Sequence, residues 1–148
     1  NRQHFSEQLE HLLHVANRHE NRISIILFDV DHFKQINDTL GHPAGDSVLY
    51  ELSMLLAKEI RKADIFARWG GEEFIVLTLE ASDNEAGKLA NKLCSLISQH
   101  EFSVGKQVTC SFGVTAYLPG ETVDSMISRA DDALYDAKGK GRNTVALR

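Results

Sequence analysis

The run Ile23-Ser-Ile-Ile-Leu-Phe-Asp-Val30 decides the fold class. Apart from Ser24 and Asp29 it is apolar at both odd and even positions, so a strand built from it must bury both faces inside a helix-covered sheet. At eight residues it is far short of the roughly 20 needed to cross a membrane. It ends in acids, Asp29 and Asp31. Upstream, Phe5, Leu9, Leu12, Leu13 and Ala16 predict an amphipathic helix over Arg2 to His19. Downstream, a short helix is expected from Phe33 to Leu40, stopped by Gly41. Asp46 then sits where an N-cap belongs, ahead of a helix with Val48, Leu49, Leu52, Leu55, Leu56 and Ile60 on one stripe.

Farther along, Ile65–Arg68 and Phe74–Leu79 flank Trp69-Gly70-Gly71-Glu72-Glu73, a hairpin signal. A helix follows over Asn84–Gln99. Val108 to Ala116 alternates, with Val108, Cys110, Phe112, Val114 and Ala116 sharing one face, and predicts a half-buried strand. Val123, Met126, Ile127, Ala130, Leu134 and Ala137 mark a last helix, and Thr144–Leu147 a closing strand. The order α, β, α, α, β, β, α, β, α, β predicts one α+β domain over 1–148, a mixed sheet flanked by helices.

The 148 residues are 43% hydrophobic and 25% charged, enough to bury a core and too apolar for disorder. Cys94 and Cys110 form no CxxC and read as core thiols of a reducing compartment. A net charge of -5 argues against a DNA or RNA binder, which needs clustered Lys and Arg. No signal peptide or membrane contact is expected. The chain opens inside a helical pattern and reads as a C-terminal piece of a longer protein.

Asp29, Glu72 and Glu73 are the candidate metal acids. If the hairpin lies beside the first strand they converge, and carboxylates without His or Cys suit Mg²⁺ or Mn²⁺. Two such ions can serve phosphoryl transfer. Alone, Gly70-Gly71-Glu72-Glu73 reads as a solvated turn. The helix starting near Phe33 offers free N–H groups to phosphate, with Lys34 in its first turn. Asn37 and Asp46 could read a base, since a carboxylate accepts from guanine's N1–H and N2–H₂ together; they read equally as a turn residue and a helix cap. Lys138, Lys140 and Arg142 around two glycines read as helix-dipole compensation or as a phosphate clamp.

Together, Asp29-Val-Asp-His-Phe-Lys34, Ile36-Asn37-Asp38, Gly41-His42, Gly45-Asp46, Arg68-Trp69-Gly70-Gly71-Glu72-Glu73-Phe74, Ser111-Phe112-Gly113-Val114 and Ala130-Asp131 through Lys138 to Gly141-Arg142-Asn143 resemble the GGDEF family of diguanylate cyclases over essentially the whole chain. The resemblance implies a five-stranded sheet akin to nucleotidyl cyclases and polymerase palms. It also implies condensation of two GTP into cyclic di-3′,5′-GMP with release of two pyrophosphates. Asp29 and Glu73 would hold two divalent ions, with the Val30 carbonyl and Glu72 assisting. Asn37 and Asp46 would hold guanine. His32, the Phe33 N–H, Lys34, Lys138 and Arg142 would meet phosphate. Arg61 and Asp64, in the RxxD spacing, match the family's product-inhibition site; the bland alternative is an i, i+3 ion pair. A homodimer is expected, since two bound GTP must meet. The domain is expected to be cytoplasmic, in a parent that an inner membrane could anchor. Competing readings are a catalytically silent module binding GTP or cyclic di-GMP, and a cyclase of relaxed base choice. The chain starts at Asn1-Arg2, matching the tail of the family's opening segment, and Trp69 stands where Tyr is commoner.

Overall fold

The computed structural model describes residues 2–19 and 21–148; Asn1, where the resemblance begins, lies outside them. The decisive run forms β1 (Ile23–Val30), and all eight of its residues are buried. It sits at the centre of a five-stranded sheet ordered β2-β3-β1-β4-β5, with β2 at Ile65–Gly70, β3 at Glu73–Leu79, β4 at Cys110–Ala116 and β5 at Val145–Leu147. β3 and β4 flank β1 antiparallel, β2 pairs antiparallel with β3, and β5 runs parallel to β4. The helices are α1 (Arg2–His19), α2 (Phe33–Leu40), α3 (His42–Ala57), α4 (Asp83–Gln99) and α5 (Val123–Gly139).

Pleating splits the core in two. Ile26, Phe28 and Val30 face α3 and α4, while Ile23, Ile25 and Leu27 face α1 and α5. Across the first face Phe28 stacks between Phe112 and Phe74, with centroids 4.6 and 5.4 Å away, a cross-strand aromatic ladder that fixes register. Continuing the odd series, Asp29 falls on the α1/α5 side. α4 begins with a capping box, in which Ser82 and Glu85 satisfy each other's backbone N–H groups.

Four expectations change. β4 starts at Cys110 and is buried on both faces, not half-buried. Ser111, Gly113 and Thr115 are small enough to admit α5, and a Cβ on Gly113 would overlap the Ala130 carbonyl and the Leu134 amide. The closing strand is only Val145–Leu147. Asp46 caps nothing: α3 starts four residues earlier, after Gly41 at φ 91°, with Pro43 in its first turn. The hairpin strands run up to Gly70 and Glu73, leaving Gly71-Glu72 as the turn, and the register slips between Arg68 and Gly70. That bulge frees Trp69 to pack edge-on to Phe5 at 5.5 Å.

Gly113 therefore sets the distance of α5 from the sheet. Gly113→Ala is expected to destabilise by about 1–3 kcal/mol, read as a lower urea midpoint at unchanged slope.

Candidate active site

The β1–β3 register puts Asp29 directly opposite Glu73, so both carboxylates leave one face of neighbouring strands. Glu72 is held at the same end, where its carbonyl accepts from the Val30 amide at 3.4 Å. Arg68 Nε braces the turn by donating to the Gly71 carbonyl at 2.8 Å. Burial raises the Asp29 pKa, and Asp31 and Glu72 raise it further against the opposing pull of Lys138. Burial likewise raises Glu73, aided by Asp29 and Asp131 and opposed by Arg2 and Lys138. Of the three acids expected to converge, Asp29 and Glu73 meet across the ladder, and Glu72 lies close enough for its charge to bear on Asp29.

The two Asp29 oxygens differ. Oδ2 accepts from Lys138 Nζ at 2.6 Å, whereas Oδ1 is buried with no hydrogen-bond partner among the described residues. A buried carboxylate oxygen left so, facing a second carboxylate across the ladder, is a place for a cation. The donors are all oxygen, which fits Mg²⁺ or Mn²⁺. Among the described residues no three His, Cys, Asp or Glu side chains form a ready-made cage. The pair thus suits an ion that keeps positions for other oxygens.

Asp31, two residues on, has a different environment. It accepts from Ser111 Oγ at 2.6 Å, Thr109 Oγ1 at 2.7 Å and the Asn143 amide at 3.0 Å. Both of its oxygens have donors, so of the two strand-end aspartates only Asp29 keeps an oxygen without a partner among the described residues. The sequence reading missed this role, because the donors that fix Asp31 lie far from it along the chain.

His32 precedes α2 in the left-handed region, φ 55°, and no side chain caps that helix start. Phe33 packs its ring into the first core, which leaves its backbone as the polar group on offer. Lys34 Nζ pairs with Asp38 at 3.3 Å on the open surface. Asn37 lies against Gly45, where an added Cβ would overlap Asn37 Oδ1, an oxygen that is buried without a partner among the described residues. Asp46 is the next residue, exposed at the mouth of that cradle. Arg142 is also exposed, with φ 65°. Lys138 lies at the Asp29 carboxylate rather than apart from it.

Arg61 and Asp64 are brought together as a bidentate pair, Nε and Nη2 each 3.0 Å from the carboxylate. The same carboxylate accepts from the Leu79 amide at 3.0 Å, and Arg61 Nη2 donates to the Leu79 carbonyl at 2.7 Å. The Asp64 side chain is 0% exposed and that of Arg61 59%. Asp64 is therefore engaged within the protein, and Arg61 is the member that meets solvent.

The fold and donor set define an α+β domain with paired carboxylates at a sheet end and a free helix start beside them. The chain belongs to the GGDEF family, whose model, "Diguanylate cyclase, GGDEF domain", matches residues 1–144. It is 44% identical to diguanylate cyclase DgcP of Pseudomonas aeruginosa over 99% of this chain and 22% of that protein. It is 38% identical to response regulator PleD of Caulobacter vibrioides over 98% of this chain and 33% of that protein. The chain thus spans a third or less of the length of these relatives. Of solved structures, the active GGEEF domain of a diguanylate cyclase from Vibrio cholerae superposes with TM-score 0.93 at 32% identity, covering 99% of this chain and 96% of that one. The GGDEF domain of DgcB from Caulobacter crescentus, in complex with c-di-GMP, gives 0.93 at 30% identity, covering 99% and 90%. No helix among the described residues is long and apolar enough to cross a membrane.

The raised Glu73 pKa has a stability consequence. A carboxylate whose pKa is higher folded than unfolded favours the fold while protonated and loses that contribution as pH rises through its folded value. Glu73→Gln is then expected to raise Tm by about 1–4 °C at pH 7 in EDTA, after discounting for its partial exposure. The gain should vanish below the ordinary glutamate range, about pH 4. A thermal melt series over pH checks this.

Proposed function

We propose that this domain is a diguanylate cyclase that condenses two GTP into cyclic di-3′,5′-GMP and two pyrophosphates across a homodimer. The observation that carries the reading is the Asp29–Glu73 cross-strand pair with its unpartnered carboxylate oxygen. Asp29 and Glu73, assisted by Glu72 and the Val30 carbonyl, would hold Mg²⁺ or Mn²⁺, two ions per site. Bound there, the ions would supply charge neutralisation on the triphosphate and acidify the attacking hydroxyl.

The chain's own groups bind and orient. Asn37, in the cradle that Gly45 keeps open, and Asp46 at its mouth take the guanine edge, the carboxylate accepting from N1–H and N2–H₂. The α2 start, through the His32–Phe33 backbone and Lys34, receives phosphate. Lys138 and Arg142 close on the phosphates from the C-terminal side. The 3′-hydroxyl of one GTP attacks the α-phosphorus of the other, its proton passes to solvent, a P–O bond forms, and pyrophosphate leaves with the electrons of the broken α–β bond; the second such transfer closes the ring. Positioning supplies most of the rate, and no covalent enzyme intermediate is needed. Each subunit carries one GTP, so two copies must meet face to face. Whatever raises the local concentration of one copy at another would raise the rate.

Incubating the protein with GTP and Mg²⁺ and weighing the products tests the reading. Cyclic di-GMP with pyrophosphate is expected, and Asp29→Asn should lower the rate at least about 100-fold. Bound but unconverted GTP would favour a silent sensor or scaffold module. Mixed cyclic dinucleotides on adding ATP would show relaxed base choice.

Product inhibition is proposed at Arg61, whose Nη1, the guanidinium nitrogen that neither Asp64 nor Leu79 engages, can donate to an acceptor on the guanine O6/N7 edge while Asp64 holds the group in orientation. Arg61→Ala should raise the cyclic di-GMP concentration for half-inhibition about tenfold or more. Unaltered inhibition in that variant removes the assignment.

A further inference from the structure

We propose that Asp31 is a positioning residue that sets the C-terminal phosphate-binding loop, and Arg142 in particular, against the catalytic end of β1. The inference rests on the proposed role of Arg142 toward phosphate. After α5 the chain turns through Gly141 at φ 104°, Arg142 at φ 65° and Asn143 at φ 47°. Two consecutive non-glycine residues in the left-handed region persist only where their surroundings hold them. The Arg142 amide is held by the Ala137 carbonyl at 3.2 Å, and the Asn143 amide by Asp31 Oδ2 at 3.0 Å. Cys94 Sγ donates to Asn143 Oδ1 at 3.5 Å from the other side.

Asp31 is in turn fixed. Its amide donates to the Thr109 carbonyl at 2.9 Å, and its carboxylate accepts from Thr109 and Ser111 on the approach to and within β4. One buried carboxylate therefore joins three segments: the end of β1 that carries Asp29, the start of β4, and the loop that carries Arg142. Charge-assisted bonds to a buried carboxylate are stronger than neutral ones, and a network of them holds geometry that packing alone leaves loose. The Arg142 guanidinium has no hydrogen bond or ion pair of its own among the described residues, so what the fold fixes is the backbone from which the side chain reaches out. Asp31 thus acts on substrate only through Arg142, and its effect is confined to the triphosphate end.

A double-mutant cycle with a fluorescent GTP analogue and Mg²⁺, together with amide exchange, tests this. Asp31→Ala is expected to weaken GTP binding about tenfold and guanosine binding hardly at all. In an Arg142→Ala background, Asp31→Ala should cost little more, because the two act as a unit. Asp31→Asn, whose amide oxygen still accepts from the Asn143 amide and Thr109 Oγ1 while the Ser111 hydroxyl turns to accept from the new NH₂, should recover most of the affinity and covers the case in which the alanine variant does not fold. Additive effects in the cycle, or equal losses for guanosine and GTP, would overturn the inference. Should the wild type bind no GTP, the proposed function fails on its own. The Asp31 role is then read from exchange: faster exchange at the Asn143 amide in the variant with β1–β3 amides unchanged supports the anchoring, and an unchanged Asn143 amide overturns it.

Discussion

Two carboxylates directly opposite each other on adjacent strands, Asp29 and Glu73, are the constraint to which the surrounding structure responds. Like charges in a cross-strand pair repel, and burial strengthens the repulsion. Most sheets avoid the arrangement. Here the neighbouring polar groups compensate: Lys138 supplies a cation to one Asp29 oxygen, Arg2 and Lys138 moderate Glu73, and Asp31 is satisfied by three donors so that it adds no further unmet demand. What remains unmet is one oxygen of Asp29. A buried carboxylate oxygen without a donor is an electrostatic demand that a cation would meet.

The repulsion is borne by the packing around it. The Phe28–Phe112–Phe74 ladder lies on the opposite face of the same three strands and fixes the register that sets Asp29 across from Glu73. On the near face, Gly113 lets α5 lie so close to β4 that the helix end carries Lys138 to the carboxylate. A shift of one residue in the β1–β3 pairing would put Asp29 and Glu73 on opposite sides of the sheet. Core and site are therefore a single specification: the aromatic ladder sets the ligand geometry, and the missing Cβ sets the reach of the lysine.

Much of this was legible in the sequence. α1 follows from its helical spacing of apolar residues, β1 from a run apolar at all but two positions, and α2 from its stop at Gly41. The convergence of Asp29 with Glu72 and Glu73 followed from one assumption, that the hairpin lies beside the first strand, and that is the observed topology. β4 was less legible, because Ser111, Gly113 and Thr115 look like a solvent face when small size is read as polarity. Small residues under a helix carry the opposite meaning, and only the partner distinguishes the two. Asp46 misled for a related reason: an acid ahead of an apolar stripe suggests a cap, but Gly41 and Pro43 had already started the helix. The division of labour between Asp29 and Asp31 was not legible at all, since it depends on donors 78 and 80 residues away.

Arg61 and Asp64 show how far spacing can assign roles. Three residues apart, they satisfy both an ion-pair pattern and a ligand-binding pattern, and the two were read as alternatives. The geometry makes them compatible. With its side chain wholly buried and its oxygens engaged by Arg61 and the Leu79 amide, Asp64 costs no further desolvation and offers no further acceptor. Arg61 gives Nε and Nη2 to that carboxylate and Nη2 also to the Leu79 carbonyl, which pins the guanidinium plane while leaving much of it in solvent. A long side chain so pinned has already lost its rotamer freedom on folding, and a planar ligand meeting it forgoes less entropy than one that must order a free arginine. The ion pair is then the means by which an exposed arginine becomes a defined surface.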